Sequence, residues 1–433
     1  MRYLPLLAPP LLTLVLAQPA VAQEKPDPAR LKASVAKLVG FGTRHTLSSP
    51  DDPVRGIGAA RAWGGAEMAR IADACGGCIV VSNIARTMVS PRTPDGANIV
   101  DVLGFQQGSD PKRVVIVAAH IDSRASDVMD AKIDAPGAND NASGSALVLE
   151  AARLLSKQKF RATIVYALLS GEEQGLLGGQ LLAETAKEKN WTVTAMLNND
   201  IVGNSIGQGG VRDVAQVRVF SEGIRASEDL AAQIARRGNG GEDDGPSRAL
   251  AKAIDGIAGT VPGGLDVFVD RRPDRFGRGG DHEPFLKLGF PAVRFTSSVE
   301  NWDAQHQNLR TEKGVVFGDT IDRMDFAYLA KVTAINVATI RRLAAAPAAP
   351  DKVTISGDLS RDTKVAWAAI PGAVKYRVKW RKSDTRDWTG GQDVAATETL
   401  LKNVPVDDHL VGVSAVAADG SESLVTFGER ARR

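Results

Sequence analysis

The chain carries 433 residues, 43% of them hydrophobic, and its 53 Lys and Arg nearly balance 51 Asp and Glu for a formal net charge of +2. That balance lacks the electrostatic footprint of a protein that holds nucleic acid or an anionic membrane surface, so both partner classes are set aside. The length supplies one large hydrophobic core and a second, smaller one.

Residues 1–22 open with Arg2, continue through an apolar run over 11–17 and end in Ala20-Val21-Ala22. A basic start, a short apolar stretch and an A-x-A site spell a secretory signal, too short to span a bilayer. No other run is long and apolar enough for a membrane helix, so the mature chain is expected to be soluble and exported, to the periplasm or the medium. A short helix is predicted over 26–37, then a turn-rich polar loop over 40–53, then a helix over 57–74. Cys75 and Cys78 follow in DACGGC. In an exported protein a local disulfide is the favoured reading of this pair. A redox pair needs a βαβ unit beginning at the motif, and a zinc finger needs a second Cys or His pair; the sequence offers neither.

Strands are expected from 79–81 and over 98–103. The stretch that organises the chain is residues 114–144, VVIVAAHIDSRASDVMDAKIDAPGANDNASG. Its continuous apolar start suits a strand covered on both faces of a parallel sheet, which places His120 and Asp122 just past the carboxyl end. In open α/β sheets that rim is where ligands gather. The loop closes with Asp140, followed by Asn141 and Ser143 as cap residues for a helix over 146–155. Strand, polar loop and helix then repeat: strand 163–169 into SGEEQG, helix 175–187, strand 193–197 into NND, strand 217–220, helix 227–237, strand 291–295 and a long helix over 319–343. This alternation predicts an α/β fold with a mixed, mostly parallel sheet flanked by helices.

AAAPAAP, residues 344–350, reads as a linker after a catalytic domain over 23–343. Beyond it the period changes to the alternation of β-strands around Trp367, and residues 351–433 resemble a fibronectin type III β-sandwich. Where such modules usually carry a tyrosine, this chain has His409-Leu410. The small all-β sandwich is expected to be a spacer or a contact module for polymer, cell surface or substrate.

The strand ends deliver, in order, His120 with Asp122, Asp140, Glu172-Glu173 and Asp200, with His306 after the strand at 291–295. Each has a duller reading alone: a satisfied core histidine, a helix cap, a solvated acidic pair. Together on one rim they form an imidazole and carboxylate set that suits Zn²⁺ without cysteine. Two histidines and three carboxylates exceed one tetrahedral ion, and they suffice for two Zn²⁺ if one aspartate bridges.

The stretches AAHIDS, GANDNASG, LLSGEEQGLLG, LNNDIVGN and GGDHEPFLKLGFPAVRF, in this order and spacing, resemble the zinc aminopeptidase family that also contains glutamate carboxypeptidases and glutaminyl cyclases. The resemblance implies that His120, Asp140, Glu173, Asp200 and His306 are the metal ligands, with Asp140 bridging. It makes Glu172 the general base and Asp122 the carboxylate that orients His120, and puts Asp281 beside the general base with His282 not a ligand. Adjacent side chains on an extended loop point different ways, so one glutamate can bind metal while the other takes a proton from water. Relatives show Tyr-His-Thr-Pro where this chain has Gln305-His306-Gln307-Asn308; the tyrosine that steadies the oxyanion is absent, Gln305 could donate in its place though from a different reach, and the oxyanion donor stays open.

The expected function is an exported di-zinc exopeptidase that removes N-terminal residues from peptides. Loops between 202 and 280 would set substrate choice, GNSIGQGG and DRRPDRFGRGG forming mobile or basic walls; Arg271, Arg272, Arg275 and Arg278, if they face the cleft, favour a carboxylate-bearing substrate. The alternatives are a carboxypeptidase or dipeptidase of the same family, a glutaminyl cyclase-like acyltransferase with one zinc, and a non-catalytic binding protein.

Overall fold

The computed structural model describes residues 24–430; the signal-like stretch lies outside them. Eight strands form one mixed sheet: β1 (Val80–Ser90), β2 (Thr93–Gln106), β3 (Asp110–His120), β4 (Ala162–Leu169), β5 (Thr192–Asn199), β6 (Gln216–Phe220), β7 (Asp266–Asp270) and β8 (Ala292–Ser297). Their order is β1-β2-β4-β3-β5-β8-β6-β7. The central four, β4, β3, β5 and β8, run parallel. The flanks depart from that: β2 is antiparallel to β4, and β6 to β8.

The apolar run of β3 explains its place. Val115, Val117 and Ala119 join one core, beneath α1 (Pro28–Val39), α2 (Gly56–Ala74), α3 (Ser143–Leu155), α6 (Pro246–Ala258) and α8 (Phe326–Ala345). Val114, Ile116 and Ala118 face the opposite core, beneath α4 (Leu177–Glu188) and α7 (Glu283–Lys287). A strand with no polar face is stable only where helices cover both sides of the sheet. The remaining helix, α5 (Leu230–Asn239), has no buried residue, and Asp229 caps it by accepting from the Ala232 N–H at 2.8 Å.

Several boundaries differ from expectation for local reasons. Helix α3 begins at Ser143, three residues early, because the Asn141 side chain accepts from the Gly144 N–H at 3.0 Å. Helix α8 begins at Phe326 and not at 319: Asp325 is the cap that accepts from the Tyr328 N–H, while Asp319 is drawn away to other donors. Helix α8 also runs on to Ala345, two residues into the expected linker. Helix α6 and strand β7, in the stretch read as loop, are elements of the fold. Cys75 and Cys78 are joined in a disulfide just beyond α2.

After His306 a hairpin of β9 (Arg310–Glu312) and β10 (Val315–Phe317) precedes α8. The C-terminal part is all β: β11 (Val353–Ser356), β12 (Thr363–Trp367), β13 (Lys375–Lys382), β14 (Gly390–Val394), β15 (Glu398–Leu401), β16 (His409–Val416) and β17 (Thr426–Arg430). An antiparallel group β11, β12, β15 meets a second group β14, β13, β16, β17 through parallel pairing of β11 with β17. Trp367 is buried there, its ring 5.2 Å from that of Tyr376 in an edge-on contact. The buried Arg381 of β13 is paired with the buried Asp244 that precedes α6, and Arg386 with Asp255 of α6. These ion pairs tie the β module to the flank of the α/β unit. Among the described residues no helix is long and apolar enough to cross a membrane.

Candidate metal centre

Because β4, β3, β5 and β8 are parallel neighbours, their carboxyl ends share one rim. His120 closes β3, Glu172 and Glu173 follow β4, Asp200 follows β5, and His306 sits on the loop after β8. Asp140 arrives from the turn before α3. All five expected ligands and Glu172 meet here. Asp140 stands between the histidines, Oδ1 3.2 Å from His120 Nε2 and Oδ2 2.9 Å from His306 Nε2. Asp200 Oδ1 is 3.6 Å from His120 Nε2, and Glu173 Oε1 is 3.2 Å from His306 Nε2. The donor atoms fall into two sets, each within 4.8 Å: His120, Glu172 and Asp200, and Asp140, Glu173 and His306.

These donors crowd around shared space, and several of them stay unsatisfied there. His120 Nε2, Glu173 Oε1 and Asp200 Oδ1 are buried without a hydrogen-bond partner. Buried polar atoms seldom go unpaired, and a cation in each set accounts for them, one for His120 and Asp200 and one for Glu173. The field agrees: burial works against a proton on His120, yet Glu172, Asp122, Asp140 and Asp200 outweigh it and hold the imidazole well above its ordinary range. Two nitrogens and three carboxylates fit zinc, and the disposition of Asp140 fits a bridge.

The surrounding shell explains how the cage is held. His120 Nδ1 lies 3.2 Å from the Asp122 carbonyl oxygen and 3.5 Å from Asp122 Oδ1, the side expected to orient the ring. The Asp122 carboxylate also accepts from Thr46 Oγ1 at 3.0 Å and from the Glu173 N–H at 3.1 Å, so it braces the glutamate pair too. Arg44, fully buried, donates to the carbonyls of Ile121 at 2.7 Å and Gly137 at 2.9 Å, locking the loop between His120 and Asp140. Asp319 accepts from the N–H groups of Asn139 and Asp140, the latter at 2.7 Å, and burial raises it to about 6. Burial also raises Glu172 well above the usual carboxylate range. Asp281 is buried close enough to feel His120, Asp122 and Asp200, accepts from the Gly179 N–H at 3.0 Å and is pushed up to about 7. His282 turns away, its Nε2 2.7 Å from the Pro273 carbonyl.

Gln305 is the correction. Its side chain lines not the cleft above the ligands but a separate void of about 20 Å³ with Asn139, Asn204 and Asp319. The left-handed backbone at His306, φ 54°, turns consecutive side chains apart, so Gln305 is not an oxyanion donor in this cleft. The stretch GNSIGQGG also stays out of the cleft: Gln208 donates to Asp303 Oδ2 at 3.0 Å. Of the four arginines expected at the wall, Arg275 and Arg278 line it. Arg271 turns toward Asp243, and Arg272 stacks over Phe276.

Three arginines at the site escaped the sequence reading. Arg294, fully buried in β8, pairs with Asp200 Oδ2 at 2.8 Å and Asp274 Oδ2 at 3.0 Å. Its signal was legible: an arginine within PAVRF, an otherwise apolar strand, requires a buried acid. Arg124 pairs with Glu173 Oε2 at 3.0 Å, and Arg92 donates to the Glu173 carbonyl at 2.7 Å. No periodicity marks these two. The cleft itself measures about 620 Å³, with Asp140, Glu172, Glu173, Asp200 and His306 among its lining residues and Arg92, Arg275 and Arg278 on its walls.

Residues 98–320 match the model of peptidase family M28, and a probable zinc metalloprotease of Leptosphaeria maculans is 42% identical over 409 residues, 93% of this chain and 95% of that one. The chain belongs to peptidase family M28. A second relative, a probable zinc metalloprotease of Pyrenophora tritici-repentis, is 40% identical over 92% of this chain and 84% of its own length. Among solved structures the fold is shared with the LapA aminopeptidase of Legionella pneumophila (TM-score 0.51, 19% identity, 74% of this chain and 71% of that one). It is shared as well with the glutaminyl cyclase of Porphyromonas gingivalis (TM-score 0.52, 17% identity, 73% and 99%). This M28 peptidase is a zinc metalloprotease, and its substrates are peptides.

Proposed function

We propose that this M28 peptidase is an exported aminopeptidase that works with two zinc ions. The observation that carries the reading is Asp140, whose two oxygens face two histidines from opposite sides while the atoms around them lack partners. His120, Asp140 and Asp200 would hold one ion, and Asp140, Glu173 and His306 the other. Zinc bound there supplies electrophilic polarisation of the peptide carbonyl and acidifies water. The chain's own work is then proton handling. Glu172 lines the cleft beside His120 and Asp200, and its carboxyl, raised by burial, is suited to accept a proton from water and return it to the departing amine. Asp122 keeps Glu172 and Glu173 in register through their backbone N–H groups.

The exopeptidase reading is supported by the shared fold of the LapA aminopeptidase and of an exopeptidase from Parabacteroides distasonis (TM-score 0.50). Export is supported by the signal-like residues 1–22 and by the disulfide, which suits an oxidising compartment. The pairing of β11, β12 and β15 on one side and β14, β13, β16 and β17 on the other supports a fibronectin type III-like module, a contact surface for polymer or cell envelope. A second reading, a carboxypeptidase or dipeptidase, is favoured by Arg92 and Arg278 on the cleft walls, neither of them paired with a carboxylate among the described residues.

Zinc analysis of the purified full chain combined with hydrolysis of N-terminally free, N-terminally blocked and C-terminally amidated peptides tests both. Two equivalents with cleavage of free and amidated peptides is the expected result. Cleavage of the blocked series alone removes the aminopeptidase reading, and a requirement for the free carboxylate favours the second. One equivalent at saturation points to the glutaminyl cyclase-like alternative.

A further inference from the structure

The two histidines of the cage differ on their far side. His120 presents Nδ1 to acceptors, the Asp122 carbonyl at 3.2 Å and the Asp122 carboxylate at 3.5 Å. That arrangement keeps the ring proton on Nδ1 and leaves the Nε2 lone pair for a metal. His306 presents Nδ1 to a donor: Arg124 Nη2 lies 2.7 Å away. A guanidinium has only N–H groups to offer. For His306 to give its Nε2 lone pair to zinc, Nδ1 must carry the proton, and that N–H then faces another N–H across 2.7 Å. The same Arg124 places Nε 3.0 Å from Glu173 Oε2, an ion pair without hydrogen-bond alignment, so one cation lies against both terminal residues of the second set.

Arg294 is the counterpart on the first set, and the comparison sharpens the difference. It touches one ligand, Asp200, and its charge is shared with Asp274 at 3.0 Å. The described contacts of Arg124 include no carboxylate other than Glu173 itself. His306 is also 22% exposed where His120 is fully buried.

We propose that Arg124 is a positioning residue that makes the zinc on Glu173 and His306 the weaker-held and exchangeable member of the pair, while the zinc on His120 and Asp200 stays resident. The charge of Arg124 beside Glu173 and its N–H opposite His306 Nδ1 both work against a dication at that position. The inference rests on the two-zinc reading above.

The test uses the full chain loaded with two equivalents of zinc, dialysed against chelator-buffered solutions of falling free zinc, with bound metal read by atomic emission. The unaltered chain is expected to lose its metal in two separated steps. In R124M the first step moves to lower free zinc by roughly 10- to 100-fold while the second stays in place. R124K, which keeps the charge, retains most of the separation between the steps. Simultaneous loss of both equivalents from the unaltered chain, or an R124M first step that stays put or moves to higher free zinc, overturns the proposal without touching the two-zinc reading. An unaltered chain that takes up only one equivalent at saturating zinc overturns that reading instead, and this inference with it.

Discussion

Asp122 accepts from a threonine hydroxyl and two consecutive backbone N–H groups while lying against His120, so the glutamate pair and this histidine share one anchor. Glu172 is thereby held without being a ligand in the proposed scheme. Glu172→Gln is expected to keep full zinc content and lose activity by roughly 10²- to 10⁴-fold, read by metal analysis and peptide turnover on the same sample. Away from the cage, Glu300 offers a cleaner titration. Burial works to raise it, but Arg275 at 2.8 Å and Arg218 at 2.5 Å outweigh that and hold its carboxyl at about 2. A carboxyl depressed on folding contributes stability that is complete above its unfolded value near 4.5 and is lost as pH falls through about 2. In Glu300→Gln the decline in stability across that window should shrink by on the order of 3 kcal/mol, measured as unfolding free energy against pH. Strain also collects at this scale. Leu176, Ile201 and His306 all line the cleft with φ between 54° and 60°. Ile201 is β-branched, the residue type least suited to that region. Its carbonyl accepts from the Ser297 N–H at 2.8 Å, which holds the turn that carries Asp200.

At the level of elements, the rim was legible because His120, Glu172, Glu173 and Asp200 stand just beyond apolar runs, and such runs must end where the sheet meets solvent. The ligand-bearing loops followed from the strands. What stayed hidden was whatever depends on where a side chain turns. Gln305 precedes a residue in the left-handed region, and nothing in NWDAQHQNL announces that. Arg124 gives no sign in the sequence that it will lie across from His306, some 180 residues on. Helix α6 could have been found: Pro246 stands at its first turn, and Leu250, Ile254 and Ile257 recur on one face. The Gly- and Arg-rich stretches on either side of it obscure that signal. The start of α8 shows the competition between two aspartates for the role of cap, settled by Asp319 being taken up by the Asp140 turn. Asp325→Ala should therefore cost about 1 kcal/mol for the lost cap at the Tyr328 N–H, visible as a lower denaturant midpoint with zinc content unchanged.

At the scale of the molecule, the α/β unit and the β module are joined by charge as well as by chain. Arg381 is 2% exposed and Asp244 5%. Asp244→Ala leaves a buried guanidinium without its carboxylate, and such losses cost roughly 3 to 5 kcal/mol. The expected result is faster proteolytic cutting between residues 346 and 350, with peptide turnover by the α/β unit retained. The cage, for its part, gathers histidines and carboxylates from residue 120 to residue 306. Any metal that binds it only when folded stabilises the whole of that span, by about 4 kcal/mol when free zinc exceeds its Kd a thousandfold. Chelation should lower the unfolding temperature, and restored zinc should return it.

The four strands whose carboxyl ends face the cluster sit in the middle of the sheet, whereas Pro91 and Arg92 come from the turn between β1 and β2 and Arg275, Gly277 and Arg278 from the loop after β7. Floor and walls thus have separate origins: the centre supplies the hydrolytic apparatus and the two flanks supply the mouth. Lengthening or recharging a flank leaves the apparatus where it stands, so a descendant of this fold is free to change its diet without relearning how to cut.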